Sequence, residues 1–300
     1  MSNTLNIKIG HATDTENKTG CTVYLPPAGS IASVDARGHA VSGRELTMLR
    51  PEKPNGTINA IFLTGGSALG LSVGDGIVRW LSERGIGHHT PVRPIPIVAG
   101  AVVYDLFHSN GQHPPNGAMG YAACDDARAD NDAQGAVGAG AGVNVGKWSG
   151  FAQSMTGGFG MATAQVGDLI VTATAVVNAI GDVVNPDGTV LAGARGADGW
   201  MVEQHPYRFI TDEMMPPAGT NTTLVVVMTN GRFSKNETNR IAQRAHDGMA
   251  IAIRPVHTRH DGDTAFAIAT QQVDAPYNLA ANMTVDVVAR AIRNGVQHME

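Results

Sequence analysis

The chain has 300 residues, a net charge of −5, and 16% charged against 43% hydrophobic residues. So few cations on a weakly acidic chain exclude nucleic acid as the main partner, while the apolar fraction is ample for a sizeable core. Cys21 and Cys124, the two cysteines, stand far apart and outside any metal-ligand spacing; free buried thiols in a reducing compartment are expected rather than a disulfide scaffold. The first residues carry no charged segment followed by an apolar stretch, so neither a signal peptide nor a membrane span is read, and a cytoplasmic location is expected.

In chain order, strands are predicted near 6–10, 21–25 and 30–35, followed by a polar loop over 37–56. An apolar strand over 58–63 ends in Thr64-Gly65-Gly66, and a helix is predicted over 67–84 with Gly85 as its stop. The Gly66-Ser67 turn would then offer free backbone N–H groups to an anion or oxyanion at a helix start, although a plain strand–helix turn reads the same. Residues 94–106 read as extended, 116–128 as a short helix and 130–142 as a glycine-rich loop. Strands over 157–167 and 168–180 form a hairpin through Val166-Gly167-Asp168, and 185–213 is loop-rich. A strand over 222–229, a helix over 234–253, a strand over 264–270 and a helix over 279–296 complete the chain. Ser234-Lys235-Asn236-Glu237 is a capping-box pattern that marks where the third helix begins. With no repeat and no linker, the alternation points to a layered α/β fold in one catalytic domain, 1–300.

Four short runs carry chemistry. In Asn221-Thr222-Thr223-Leu224-Val225-Val226-Val227, a threonine pair opens a β-branched strand just after a turn. Cutting the Asn221–Thr222 bond would set the Thr222 hydroxyl beside its own α-amine, which can act as its base. The plain alternative is a Thr-rich strand start. In Asp261-Gly262-Asp263 two carboxylates flank a glycine and can share a proton, or simply form a turn. Asn178 lies in an apolar strand and must find partners or destabilise the core; an amide aimed at an oxyanion is one resolution. Lys147 closes the glycine-rich stretch 138–146 that permits close backbone approach, and would otherwise be a solvated surface group. His88-His89 and His257-x-x-His260 lack a third ligand, so they read as surface histidines and His246 as a structural one; no metal is expected.

Together these runs resemble a family. Asn6-Ile7-Lys8-Ile9-Gly10-His11-Ala12-Thr13-Asp14, Gly20-Cys21-Thr22-Val23, Val34-Asp35-Ala36-Arg37-Gly38, Leu63-Thr64-Gly65-Gly66-Ser67-Ala68-Leu69-Gly70-Leu71 and the Asn-Thr-Thr and Asp-Gly-Asp-Thr segments are similar to those of the self-cleaving N-terminal-nucleophile hydrolases. That family includes the L-aminopeptidase/D-amidase/D-esterases, the β-peptidyl aminopeptidases and the 6-aminohexanoate-oligomer (nylon oligomer) hydrolases. The resemblance runs nearly end to end.

It implies an α-β-β-α sandwich and self-cleavage into 1–221 and 222–300. It also implies Thr222 as nucleophile, Asn178 at the oxyanion, Lys147 near the reacting centre, Asp261 and Asp263 in support, and Tyr104 lining the cleft. Asn221-Thr222 and the Asp-x-Asp pair follow the nylon-oligomer branch, where the aminopeptidase branch usually carries serine. The substrate expected is thus a small or oligomeric linear amide, without cofactor, handled by a tetramer of processed heterodimers that binds neither nucleic acid nor membrane. Release of N-terminal residues, acyl transfer of the ornithine acetyltransferase kind, and a non-processing binding protein are the alternatives.

Overall fold

The computed structural model of the protein describes residues 5–54, 56–214 and 219–297. The main elements are β1 (Lys8–Asp14), β2 (Thr19–Leu25), β3 (Ile31–Ala36), β4 (Gly43–Arg44), β5 (Ala60–Thr64), α1 (Val73–Glu83), β6 (Val98–Val102), α2 (Gly117–Asp126), β7 (Phe159–Val166), β8 (Leu169–Asn178), β9 (Thr222–Gly231), α3 (Lys235–Ala252), β10 (Thr264–Val273) and α4 (Tyr277–Gln297). Two five-stranded sheets form, ordered β1-β2-β5-β6-β4 and β3-β10-β9-β8-β7. The parallel pairs β5/β6 and β9/β10 are each joined through a helix, α1 and α3 respectively, as parallel connection requires.

Three apolar layers hold these elements together. Val73, Ile77 and Leu81 of α1 and Ala123 and Cys124 of α2 cover the outer face of the first sheet at Val23, Phe62 and Val98. Between the sheets, Tyr24, Ile61 and Leu63 meet Leu224, Val226, Met228 and Phe266. Beyond the second sheet, Val225 and Val227 pack on Ile241, Ala245 and Met249 of α3 and on Val287, Val288 and Ile292 of α4. The result is the expected α-β-β-α sandwich, and both cysteines are free and buried within it. Among the described residues no helix is long and apolar enough to cross a membrane.

Most elements follow from local chemistry. The Ser234 side chain accepts from the Glu237 amide while the Glu237 carboxylate takes the Ser234 amide, so α3 opens on a complete capping box. The β7–β8 hairpin turns at Gly167, whose φ of +58° suits glycine. The helix expected over 67–84 divides into a 3-10 segment, Ser67–Ser72, and α1. Ser67 is left-handed (φ +52°), and Gly70 lies so close to the Gly65 carbonyl that a Cβ there would stand 2.0 Å from it, which rules out a regular first turn. The loop-rich 185–213 stretch contains short strands, one α-helical turn, Met201–Gln204, and 3-10 turns at Tyr207–Phe209 and Asp212–Met214, each too brief to show a period.

Strand β9 is buried at all ten positions. Burial of Leu224, Val225, Val226, Val227 and Met228 contributes roughly 8–15 kcal/mol. If the chain is cut before Thr222, the two fragments are therefore expected to co-elute on sizing and to part only in denaturant. Separation in native buffer would contradict this packing.

Candidate active site

Three strand ends converge at one edge of the second sheet. The start of β9 and the start of β10 lie together because these strands are parallel, and an isolated parallel bridge joins Asn221 to Asp261. Strand β8 runs antiparallel to β9, which sets its last residue, Asn178, opposite Thr222. The topology thus brings Asn178, Asn221, Thr222, Asp261 and Asp263 to one place from three separate parts of the sequence.

Thr222 is 6% exposed, and its Oγ1 donates to the Asn221 carbonyl oxygen at 2.5 Å. That same oxygen accepts the Gly262 N–H at 2.8 Å. Gly262 is constrained here: a Cβ would stand 2.7 Å from Thr222 Oγ1. The next amide, Thr223 N, donates to Asp263 Oδ1 at 2.7 Å. Asn221 is fully buried, and its side-chain oxygen has no hydrogen-bond partner among the described residues, which costs on the order of 1–3 kcal/mol.

Lys147 follows Gly146, left-handed at φ +72°, and is tied to the exit of β8 by Gly146 N to Gly181 O (2.9 Å) and Trp148 N to Ile180 O (3.1 Å). It is 1% exposed, not solvated. Its Nζ donates to Asn178 O at 3.0 Å, Asn178 Oδ1 at 2.8 Å and Thr220 O at 3.2 Å. Burial pulls the ammonium down to about 7, against the opposing pull of Asp261 and Asp263. Burial, reinforced by the Asp263 charge, pushes Asp261 well above the usual carboxylate range despite bonds from Thr258 N and Oγ1 at 2.9 and 2.6 Å. Desolvation thus disfavours both charges, leaving a base and an acid that both titrate close to neutrality.

Asn178 satisfies all its polar capacity inside this cluster. Its Oδ1 accepts Lys147 Nζ and, at 3.1 Å, Asn144 N; its Nδ2 donates to Tyr104 O at 3.1 Å and Thr220 O at 3.4 Å. Beside the Thr222 hydroxyl, the donor on the Asn221 carbonyl is therefore the Gly262 amide, not Asn178. Tyr104 reaches the site through its carbonyl, with its ring 5.0 Å from Phe107.

Gly66 and Ser67 do not form the anion site expected of them. Gly65 N donates to Gly20 O (2.9 Å), Gly66 N to Asp105 Oδ1 (2.7 Å) and Ser67 N to Val103 O (2.9 Å), so each amide is already engaged. His88 and His89 are exposed as expected, but His260 is 8% exposed and belongs to the interior. The residues that sequence reasoning missed are Gly262, as a backbone donor, and His257, whose N and Nδ1 both reach Asp263 Oδ2, at 3.1 and 2.7 Å. The Asp-Gly-Asp spacing was a signal for the first; the second was noticed only in His257-x-x-His260 and read as a surface group, which its bonds to Asp263 correct.

Comparison with known proteins decides the family: the description of peptidase family S58 matches residues 4–300. The chain belongs to peptidase family S58. An uncharacterized aminopeptidase of Mycobacterium tuberculosis is 39% identical over 267 residues, covering 86% of this chain and 75% of that protein. The 6-aminohexanoate-oligomer endohydrolase of Paenarthrobacter ureafaciens is 36% identical over 278 residues, covering 90% and 74%. The solved L-aminopeptidase D-Ala-esterase/amidase of Ochrobactrum anthropi, described as a new variant of the N-terminal-nucleophile hydrolase fold, superposes with a TM-score of 0.72 at 18% identity, covering 96% of this chain and 83% of that one. This S58 member is accordingly a hydrolase of amide bonds with that fold.

Proposed function

We propose that the protein cuts itself between Asn221 and Thr222 and then hydrolyses linear amides through the freed Thr222. The observation that carries this reading is the Thr222 hydroxyl held against the Asn221 carbonyl, with the Gly262 N–H on the same oxygen. Lys147 is an ammonium while it donates to its three acceptors, and burial lets it release one proton near neutrality. In the first stage Oγ1 then attacks the Asn221 carbonyl carbon and its proton passes to the amine so formed. The Gly262 amide holds the oxyanion. The C–N bond breaks as Lys147 returns that proton to the nitrogen, leaving an ester between Asn221 and Thr222. Water hydrolyses that ester to a carboxylate at Asn221 and a free hydroxyl and α-amine at Thr222, giving fragments 1–221 and 222–300.

In the second stage the Thr222 amine takes the hydroxyl proton as Oγ1 attacks a substrate amide. The substrate carbonyl occupies the place of the Asn221 carbonyl, so Gly262 N and, once the Thr220 carbonyl has withdrawn, Asn178 Nδ2 face its oxygen. The amine product leaves with a proton, and water then releases the acyl group. A cleft of about 300 Å³ lined by Thr13, Lys18, His108, Gly142, Asn144 and Thr156 opens beside Asn144, whose amide touches Asn178. It gives an extended chain room next to the reacting centre.

The substrate class favoured is a linear ω-amino acid oligomer of the 6-aminohexanoate type. Asn221-Thr222 and Asp261-Gly262-Asp263 support it, as does the relative of that activity. Release of N-terminal residues is the second reading, supported by the aminopeptidase relatives. A tetramer of processed heterodimers is proposed as the working form.

Intact mass of the purified protein tests the first stage, with two species divided before Thr222 expected. Soluble 6-aminohexanoate oligomers and amino-acid p-nitroanilides, assayed side by side, test the substrate. Turnover of the oligomers is expected, and release only from the anilides would favour the second reading.

A further inference from the structure

His246 on α3 and His257 in the loop before β10 form a continuous link from Asp263 to Asp35 on β3. His257 Nδ1 lies 2.7 Å from Asp263 Oδ2, His257 Nε2 lies 3.2 Å from His246 Nδ1, and His246 Nε2 lies 3.2 Å from Asp35 Oδ1 and 3.1 Å from Asp35 O. The His246 side chain is fully buried, with the rings edge to face at 4.8 Å.

Counting hydrogens decides the state of this pair. Asp263 accepts a backbone N–H on each oxygen, from Thr223 on Oδ1 and from His257 on Oδ2, the pattern of a carboxylate. Asp35 offers a carboxylate and a carbonyl oxygen. With acceptors at both ends, His257 Nδ1 and His246 Nε2 must each carry a hydrogen. Two neutral imidazoles have one N–H apiece and would spend both on the outer links. The central nitrogens would then face each other with lone pairs at 3.2 Å. A third N–H removes that conflict and leaves one positive charge between two carboxylates.

Two further observations agree. Asp35 sits below its ordinary range: burial would raise it, but the His246 and Arg37 bonds outweigh burial. His257 also adopts a left-handed backbone, φ +56°, which is costly for a non-glycine residue and directs both its amide and its ring at one oxygen of Asp263.

We infer that His246 and His257 share one extra proton, and that His257 is a positioning residue that keeps Asp263 ionised as the acceptor of the Thr223 N–H. The link to catalysis rests on the proposed role of Thr222. The charged groups facing the pair are Asp263 with Asp261 and Lys147 behind it on one side, and Asp35 with Arg37 on the other. Removing the positive charge raises the proton affinity of the carboxylates and of Lys147 alike, so self-cutting would need a higher pH.

Two measurements test this. Long-range proton–nitrogen correlation spectra of the uncut Thr222→Ala chain at neutral pH should show three of the four ring nitrogens of His246 and His257 protonated. Two neutral rings would overturn the inference whatever the chain does in catalysis. In the otherwise unchanged chain, His257→Asn keeps an N–H toward Asp263 without the charge, and His246→Asn removes the charge one step further from Asp263. Both should move the pH of half-maximal cutting upward by about one unit or more. Unmoved midpoints in folded variants would refute the positioning role. A parent chain that never cuts at Thr222 would instead overturn the processing reading and leave the spectra to decide the charge.

Discussion

Replacing Thr222 with Ala is expected to leave one uncut chain of 31.2 kDa and to lower amide hydrolysis by at least about 10⁴-fold, the scale seen when an activated nucleophile is deleted. The hydroxyl is the attacking atom in both proposed stages, so one substitution removes both. The fold should survive: the losses are one hydroxyl bond to the Asn221 carbonyl, worth about 1 kcal/mol, and one buried γ-methyl, worth about the same. Thr222→Ser keeps a hydroxyl at the same place and should still cut. Denaturing electrophoresis and intact mass read the outcome directly. Two fragments divided at this bond in Thr222→Ala would remove Thr222 from the mechanism.

Lys147→Met should produce the second largest effect. Methionine fills the space of the lysine stem but neither accepts a proton nor donates to Asn178 or the Thr220 carbonyl. Self-cutting is expected to slow by about 10²–10⁴-fold, the usual contribution of a positioned base. The pH dependence carries a sign that can be checked. Lys147 is lowered from 10.5 to about 7 in the folded chain, so between those values the unfolded chain binds a proton the folded chain lacks, and stability rises with pH across that window. Asp261 acts oppositely, since its raised affinity favours the folded chain at low pH and is lost as pH climbs through its folded value. Urea midpoints of the uncut Thr222→Ala chain should therefore increase from pH 7 to 9, and adding Lys147→Met should abolish the increase. An unchanged slope would mean that Lys147 is not the buried base described here.

How much of this was legible in the sequence depends on whether the signal was local. Strand β9 announced itself because Leu224 to Met228 are apolar on both faces, the pattern of a sheet interior, and they do lie between two cores. The α3 start was written in four consecutive residues. The Asp-Gly-Asp loop could be read as leading into a strand, but its place beside Thr222 came only from the family resemblance, because the parallel pairing of the two strands leaves no local mark.

What could not be read was the partner that a distant segment supplies. Gly66 looked like a free donor, but Asp105, 39 residues on, takes its N–H. Lys147 read from its own run as either a group at a close backbone approach or a surface lysine, and only the Gly146 turn and the β8 exit, which enclose it, decide between them. His257 was legible only as half of His257-x-x-His260 and read as a surface group, and nothing local joined it to His246: they meet because α3 packs over β3 and the following loop folds back to the strand that begins at Thr264.

The position of the proposed scissile bond at the head of a central strand would also give the molecule a history. The groups around it come from β8, the Lys147 turn and the start of β10, so the chain must fold completely before it can cut, and an unfolded chain stays intact. If it is cut there, the same fold would be held by two polypeptides, and recovery from denaturant would become a second-order encounter rather than a first-order rearrangement. Dilution would then penalise refolding of the mature enzyme but not of its precursor. Its persistence would rest on slow unfolding more than on reversible equilibrium, and the order of its life (fold, cut, work) could be followed in only one direction.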